Sequence, residues 1–224
     1  MQITDLKTLD YPPLTDDLEE AKSHLDKYGM ALIKDVLSQE EVEEMDQRLN
    51  EQFMGEEKYQ VGSKIRGDEG FGIESSEEEK VSRLVWNLIN KGDCFLKLID
   101  HPKILPLIQH MIGERVCLCS MGAHMNGSGN ERMALHQDQW PLVPHPMKFP
   151  FMANVMYLIS DNSPENGGTR LIPGSHKWPL IDYKTANSED IQKKAVSLTA
   201  PKGTAIIWEG CLLYTSDAAD ERLR

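Results

Sequence analysis

Two short apolar runs separated by turn residues lie in FMANVMYLISDNSPENGGTRLIPGSHKW, residues 151–178. The runs FMANVMYLIS and TRLI have the length of strands, and Asn166-Gly167-Gly168 and Pro173-Gly174 are residues that tight turns favour. Similar runs come before this stretch (VCLCSMGAHM) and after it (VSLTA and GTAIIWEG). Strands at such spacing, without long helices between them, are typical of antiparallel barrels and sandwiches. From Arg115 onward the sequence therefore predicts a β-barrel or sandwich.

The first third of the chain predicts helices instead. Asp16 and Glu19 are spaced as a capping box before an apolar pattern of helical period, and Gly29 ends that pattern. Ser38 and Glu41 form a second such box before another helix. The architecture predicted from the residues alone is a helical N-terminal half packed on a barrel-like C-terminal half.

Between these two halves the pattern is weaker. Residues 30–36 form a short apolar run of strand length, and residues 55–80 are rich in Gly, Glu, Lys and Ser, which predicts a loop. Short helices are predicted around Leu84–Leu88, Phe95–Ile99 and Ile104–Ile112.

Composition excludes several classes of protein. The 224 residues carry 24 Lys and Arg against 36 Asp and Glu, a formal net charge of −12, which argues against sequence-independent nucleic-acid binding. No apolar run could span a bilayer, the first residues lack the pattern of a signal peptide, and the four cysteines form no CxxC pair. We therefore expect one cytoplasmic domain without a nucleic-acid or membrane partner. Cys117 and Cys119 would share one face of a strand, as small core residues.

The clearest chemistry lies in Leu135-His136-Gln137-Asp138-Gln139. Residues two apart point to the same side of a strand, so His136 and Asp138 would point together into a barrel. An imidazole and a carboxylate are two of the three ligands in the two-histidine, one-carboxylate site of non-haem Fe(II) enzymes. Taken alone, the pair also fits an ordinary histidine beside a solvated aspartate.

The sequence resembles the phytanoyl-CoA dioxygenase family of Fe(II)/2-oxoglutarate oxygenases. The matching motifs are HQD at 136–138, ENGGTRLIPGSHKW at 165–178, GMALIKDVLSQEEVEEM at 29–45 and HPKILPLIQHMIGERV at 101–116. They occur in the order of the family, and the resemblance extends from about Leu18 to Gly210.

The resemblance implies an α+β fold with a double-stranded β-helix, or jelly-roll barrel. Its helical part would cover residues 1–114 and its barrel strands residues 115–210, together one domain over 1–210. It also implies Fe(II) held by His136 and Asp138, with 2-oxoglutarate and O₂ as cosubstrates. The expected reaction is hydroxylation of a small organic substrate, with 2-oxoglutarate converted to succinate and CO₂. The Asp138 carboxylate favours hydroxylation, because related halogenases have a small residue there.

Further site residues follow from position in the family pattern. Met121 and Asn154 fall where the family contacts 2-oxoglutarate, although Met121 fits a core residue equally well. Asn154 is polar within an apolar strand, and a buried amide needs partners. Trp140 either lines the substrate entrance or is an ordinary half-buried tryptophan. Residues 55–80 and 140–150 are candidates for a lid over the site.

For most of the remaining histidines we expect structural roles. His176 lies in the PGSH turn and is expected to hydrogen-bond backbone there. His101 and His110 are expected at the surface or at helix ends. His124 lies on the strand before the motif and could reach the site.

The C-terminal end departs from the family pattern. The resemblance implies a third ligand, a late histidine, but the register reaches Tyr214 and no histidine follows His176. Cys211–Glu221 can be back-translated into codons that resemble a transposase-type sequencing adapter. We therefore expect residues 211–224 to be a non-native tail, the barrel to be incomplete after Gly210, and this chain to be a poor or inactive enzyme.

Two other functions stay open from the sequence. One is a non-catalytic barrel that binds a small ligand without an iron-dependent reaction, which the absent third histidine favours. The other is a cupin-like isomerase or hydrolase that uses His136 and Asp138 without 2-oxoglutarate. The Asn-Gly-Gly and PGSH turns argue against the second, because they belong to the oxygenase pattern.

Overall fold

The computed structural model describes residues 9–61, 63–65, 82–125, 134–139, 149–179 and 181–216. Its helices are α1 (Leu18–Tyr28), α2 (Gln39–Tyr59), α3 (Asp93–Leu96), α4 (Leu105–Ile112), α5 (Tyr183–Ala186) and α6 (Glu189–Gln192). Its strands are β1 (Leu14–Thr15), β2 (Met30–Ile33), β3 (Ser63–Ile65), β4 (Ser82–Trp86), β5 (Gly122–Met125), β6 (Ala153–Tyr157), β7 (Thr169–Leu171), β8 (Val196–Ser197), β9 (Ala205–Glu209) and β10 (Tyr214–Ser216). Among these residues no helix combines the length and apolar character that crossing a bilayer requires.

The strands form three sheets. Their orders are β1-β2-β9-β6, β10-β7-β8 and β3-β4-β5. In the first sheet β9 is antiparallel to both neighbours, with Ile207 opposite Ala31 on one side and Val155 on the other. The N-terminal half therefore supplies a central strand, β2, to a sheet whose other long strands come from the C-terminal half. The predicted division at residues 114 and 115 stays a prediction, and the sheet crosses it.

The two central strands of the first sheet, β2 and β9, are buried on both faces, which explains their uninterrupted apolar sequences MALI and AIIW. Alternate residues of β2 and β9 enter different clusters. Ala31 and Ile207 pack with residues of α1 and α2 in the larger cluster, whereas Met30, Leu32 and Trp208 pack in a second cluster with β7 and β8. A third, smaller cluster contains Leu135, Ile172 and Leu213 and lies behind the HQD motif.

The start of α1 differs by one residue from the prediction. Asp17, not Asp16, is the N-cap residue, and its carboxylate accepts hydrogen bonds from the backbone N–H groups of Glu19 (2.9 Å) and Glu20 (2.8 Å). Two adjacent aspartates offer the same chemistry, so sequence spacing does not separate them. The helix ends as predicted at Gly29, whose φ of +74° favours glycine.

The capping box of α2 is confirmed. Glu41 N–H donates to Ser38 Oγ (3.2 Å), and Ser38 N–H donates to Glu41 Oε2 (2.9 Å). The helix continues to Tyr59, so the first residues of the predicted 55–80 loop are helical. Residues 66–81 lie outside the described part of the chain.

Three local predictions are wrong. The segment predicted as a helix at Leu84–Leu88 is mainly strand β4, which pairs with β5. A short apolar run does not distinguish a helix from a strand, and here pairing with neighbouring strands determined that the segment is a strand. In VCLCSMGAHM only Gly122–Met125 is a strand, and Cys117 and Cys119 are exposed residues rather than core residues. The helix predicted over Ile104–Ile112 is confirmed as α4.

Candidate metal site

His136 and Asp138 lie next to each other, as the spacing predicts. His136 is held by an isolated β-bridge to Tyr214, in which each backbone N–H donates to the other residue's carbonyl at 3.0 and 3.1 Å. Asp138, two residues further on, brings its Oδ1 to 3.8 Å from His136 Nε2. Both side chains are about one quarter exposed, at 25% and 21%. The geometry thus brings the predicted pair together, and their role as metal ligands stays a prediction.

The ring of His136 is oriented by its own backbone neighbourhood. Nδ1 lies 3.0 Å from the carbonyl oxygen of Ala134, so Nδ1–H is the donor of this contact. That tautomer leaves the lone pair on Nε2, the nitrogen that faces Asp138. A backbone carbonyl on the far nitrogen is the usual support for a metal-ligating histidine.

Asp138 has a hydrogen-bond partner on each carboxylate oxygen. Asn154 Nδ2 donates to Oδ2 at 2.5 Å, and the Tyr214 hydroxyl donates to Oδ1 at 3.0 Å. Asn154 lies on β6, opposite Trp208 of β9. The predicted partner of Asn154 was 2-oxoglutarate; the contact in the structure is with the carboxylate of Asp138.

Tyr214 lies beside the pair, at the position where the motif resemblance predicts a third ligand. Its ring centroid lies 4.4 Å from that of His136 and 4.9 Å from that of Trp208. Burial, and next the negative charge of Asp138, raise the pKa of the Tyr214 hydroxyl far above its usual value. The phenol therefore stays protonated and acts as the hydrogen-bond donor to Asp138.

Gln139 is a structural residue of the site that the sequence analysis did not identify. It is only 2% exposed, and its Oε1 accepts hydrogen bonds from Phe151 N–H (2.6 Å) and Met152 N–H (3.1 Å). Its own N–H donates to the carbonyl of Gly210 (3.2 Å). The side chain thus connects the HQD motif to the start of β6, the strand that carries Asn154. A polar residue directly after the motif was the available signal.

Replacing Gln139 with leucine should lower the free energy of unfolding by about 1–2 kcal/mol, because two part-buried backbone N–H groups lose their acceptor. Urea unfolding followed by circular dichroism measures the effect. The control is Gln47→Leu on the exposed face of α2, where a change within about 0.5 kcal/mol is expected. Equal stability of Gln139→Leu and the parent chain would contradict this role of Gln139.

The other predicted site residues lie elsewhere or outside the described residues. Met121 packs against the larger core cluster, which agrees with the core alternative. His124 is exposed on β5, with its ring edge towards Trp86 at 6.4 Å between centroids. Trp140 and most of the 140–150 lid candidate lie outside the described residues.

His176 does not bond backbone as predicted. Both ring nitrogens are buried, neither makes a hydrogen bond of ordinary geometry with the described residues, and the nearest backbone interaction is with Asp26 of α1 rather than with the turn. The ring lies against Gly29, where a Cβ would come within 2.5 Å of Nδ1. Burial, and then the charge of Lys177, lower the pKa of His176 to about 4, while Asp26 weakly opposes the shift. The imidazole is therefore a neutral, packed side chain.

His101 and His110 occupy the supporting positions expected of them. His101 Nε2 lies 3.1 Å from the carbonyl of Val36, and its Nδ1 accepts from Lys103 N–H at 3.3 Å, in the turn before α4. His110 in the last turn of α4 pairs with Asp26 of α1 at 2.8 Å. Both contacts tie α4 to neighbouring elements.

The donors present fit two ligands of a non-haem iron site and do not fit the third. His136 Nε2 and Asp138 Oδ1 are of the right type and face each other. Within the described ranges no group of three or more His, Cys, Asp or Glu side chains could hold a metal ion. The third position carries the protonated phenol of Tyr214.

Comparison with known proteins assigns the chain to a family. A sequence model of the phytanoyl-CoA dioxygenase family matches residues 25–222. The chain belongs to the phytanoyl-CoA dioxygenase family. The match also extends beyond Gly210, where the motif resemblance ends.

Three curated relatives of this family member carry dioxygenase names. Dioxygenase af480 of Aspergillus fumigatus is 28% identical over 203 residues, which cover 91% of this chain and 62% of the relative. Dioxygenase sphC of the same species is 24% identical and covers 73% of this chain and 46% of its own length. A probable alpha-ketoglutarate-dependent hypophosphite dioxygenase of Stutzerimonas stutzeri is 26% identical, covering 76% and 57%. The chain thus spans about half to three fifths of these relatives.

Solved structures confirm the predicted fold class. The epimerase SnoN, crystallised with Fe3+, alpha-ketoglutarate and nogalamycin RO, superposes with a TM-score of 0.65 at 17% identity, over 90% of this chain and 77% of SnoN. The alpha-ketoglutarate-dependent carbocyclase SnoK gives a TM-score of 0.68 at 17% identity, over 89% and 77%. At this identity the likeness concerns the fold alone, the α+β jelly roll expected for the phytanoyl-CoA dioxygenase family.

Proposed function

We propose that the protein is an Fe(II)/2-oxoglutarate-dependent dioxygenase that hydroxylates a small organic substrate. The observation that carries the proposal is the approach of His136 Nε2 to Asp138 Oδ1, in a chain of the phytanoyl-CoA dioxygenase family with a jelly-roll fold. One imidazole and one carboxylate facing each other are a partial form of the iron site that such oxygenases use.

The names of similar proteins support the cofactors. The Stutzerimonas relative is named as alpha-ketoglutarate-dependent, and SnoN was crystallised with Fe3+ and alpha-ketoglutarate. Iron and 2-oxoglutarate, when bound, would supply the activation of O₂. In this chain His136 and Asp138 are the proposed iron ligands, and Asn154 would hold the Asp138 carboxylate in its orientation.

The proposed cosubstrate contacts are less direct. Asn154 lies beside Asp138 and could serve 2-oxoglutarate as well, while Met121 remains a candidate only by its place in the family pattern. The net charge of −12 supports a small-molecule substrate rather than a nucleic acid, and we propose a cytoplasmic location from the cysteine usage.

A non-catalytic barrel that binds a small ligand is the second candidate. It is favoured by the Tyr214 hydroxyl on Asp138 Oδ1, which fills the third-ligand position with a hydrogen-bond donor. If the C-terminal residues printed here are native, the iron site lacks one ligand and this candidate gains weight.

The decisive experiment starts from the gene. The reading frame past Gly210 is recovered from genomic DNA, and the encoded protein is assayed for succinate formation from 2-oxoglutarate with Fe(II) and O₂. We expect a frame that replaces residues 211–224 and restores a late histidine, with turnover that is lost in His136→Ala and kept in Lys22→Ala, a change at a partly exposed position of α1.

One result would contradict the proposal, and another would contradict only the expectation for the present chain. A genomic frame that encodes CLLYTSDAADE, in a protein without 2-oxoglutarate turnover, would favour the ligand-binding barrel. Turnover by the present 224-residue chain would leave the oxygenase function intact but contradict the expectation that this chain is a poor enzyme.

A further inference from the structure

The backbone register places residue 214 directly beside the His136–Asp138 pair. His136 and Tyr214 exchange both backbone hydrogen bonds, at 3.0 and 3.1 Å, so they are directly opposite each other in an antiparallel pair. Side chains of directly opposite residues project to the same face of a sheet. Asp138, two residues from His136, shares that face. Any side chain at position 214 therefore reaches the same small volume.

The Tyr214 hydroxyl donates to the Asp138 oxygen that a metal would bind. The Asp138 oxygen nearest to His136 Nε2 is Oδ1, at 3.8 Å, and Oδ1 is also the acceptor of the Tyr214 hydroxyl, at 3.0 Å. Two donors at about 2.1 Å from one metal and at right angles are about 3 Å apart, so only a small approach of the two side chains is required. The Tyr214 hydroxyl thus already donates to the oxygen that a metal shared with His136 would bind, and the phenol ring lies beside the imidazole, with 4.4 Å between the ring centroids.

The second Asp138 oxygen offers no alternative. Oδ2 accepts the amide of Asn154, which holds the carboxylate in its present orientation. Each oxygen of the Asp138 carboxylate thus accepts one hydrogen bond from a neutral donor, and these two bonds hold the carboxylate without a bound cation.

We infer that Tyr214 holds the His136–Asp138 pair closed to divalent metal, and that a metal-ligating side chain at position 214 converts the same three positions into a three-donor metal site. This inference rests on the site assignment made under the proposed function. It concerns metal binding by the chain as printed and needs neither 2-oxoglutarate nor a substrate.

Co(II) alone is the probe, titrated into the parent chain and its variants and followed by the visible absorption of the bound ion. We expect the parent chain to bind Co(II) weakly, and Tyr214→His to bind it at least about 100-fold more tightly, because an added ligand should exceed the 10–100-fold effect of outer partners. Adding His136→Ala to Tyr214→His should remove the gain.

Tyr214→Phe separates the effect of removing the hydroxyl from the effect of adding a metal donor. It removes the hydroxyl from Asp138 and adds no donor, so its Co(II) affinity should rise far less than that of Tyr214→His. Tyr214→Cys supplies a different donor and should show thiolate-to-cobalt absorption, which keeps the test valid if the histidine variant does not fold. Thermal unfolding of each variant reports its folding.

Three results would overturn the inference. They are tight Co(II) binding by the parent chain, equal Co(II) affinity of folded Tyr214→His and the parent, and an equal gain in Tyr214→Phe and Tyr214→His. Each concerns metal binding alone, so it is distinguishable from a failure of the proposed oxygenase function, which is judged on succinate formation by the genomic protein.

Discussion

Ending the chain at Gly210 should unfold it under conditions where the full chain is folded. Leu212 and Leu213 are both 0% exposed, and their side chains enter different clusters. Leu212 packs with Met30 and Trp208 beside the first sheet, while Leu213 packs with Leu135 behind the HQD motif. The two leucines therefore join the main sheet to the site.

The expected loss is comparable to the whole stability of the domain. Truncating a buried leucine to alanine costs about 2–5 kcal/mol, so Leu212→Ala with Leu213→Ala should cost about 4–10 kcal/mol, against a total of about 5–15 kcal/mol. A stop after Gly210 also removes β10, which pairs with β7 from Tyr214 to Ser216 and leaves that edge open.

Urea unfolding followed by tryptophan fluorescence measures these losses. The matched control is Leu118→Ala, since Leu118 is 48% exposed and should change stability by about 0.5 kcal/mol or less. A chain ending at Gly210 with the same unfolding midpoint as the full chain would show that these leucines are not part of the core. In this chain residues 212–216 fill two buried positions and pair with β7.

Stability should respond to pH in opposite directions at His176 and Glu209. Burial lowers the pKa of His176 from its ordinary 6.5 to about 4. The unfolded chain therefore takes up a proton between pH 6.5 and 4 while the folded chain does not. This residue stabilises the fold fully above pH 6.5, and its contribution is lost as pH falls, by about 2 kcal/mol at pH 5.

Glu209 works in the reverse sense. Burial raises its pKa from 4.5 to about 7, and the charge of Lys177 opposes the shift. The folded chain therefore holds a proton between pH 4.5 and 7 that the unfolded chain has released. This contribution is present at low pH and is lost as pH rises through 7, again by about 2 kcal/mol between pH 5 and 7.5. In the parent chain the two effects nearly cancel.

Single variants should show the pH dependence of stability that each residue contributes. In Glu209→Gln, acidification from pH 7.5 to 5 should reduce stability by about 2 kcal/mol, whereas in His176→Leu it should increase stability by about the same amount, a difference of about 4 kcal/mol between the variants. Urea unfolding midpoints at several pH values measure both. The double variant is the control and should resemble the parent in this pH range. Parallel pH profiles of the two single variants would contradict the assignment.

Much of the fold was predictable because the relevant signals are local. The strands β6, β7, β8 and β9 each lie within a short segment bounded by turn residues, and β9, whose first four residues are buried, has no polar face to show. The capping box of Ser38 and Glu41 is contained within four residues. The approach of His136 to Asp138 was predicted from the period of two along a strand, although in the structure His136 is an isolated bridge residue and Asp138 already lies in a turn.

The errors share a different cause. Leu84–Leu88 reads equally well as helix or strand over five residues, and its pairing with β5 about forty residues later decided the outcome. Cys117 and Cys119 alternate as strand residues should, but the segment that carries them stays exposed outside β5. Local periodicity shows which residues share a face of a strand, but that face is buried only when another element packs against it.

The sequence by itself determined the family, the fold class and the pair of His136 and Asp138, because motifs and periodicity are written along neighbouring residues. Tertiary structure alone decided what surrounds that pair. The Tyr214 hydroxyl reaches Asp138 across 76 positions of the chain, and Gln139 is satisfied by backbone 12 and 13 residues away. Such contacts depend on the register between distant strands, which is set by packing of the whole core and leaves no pattern in a local stretch of sequence.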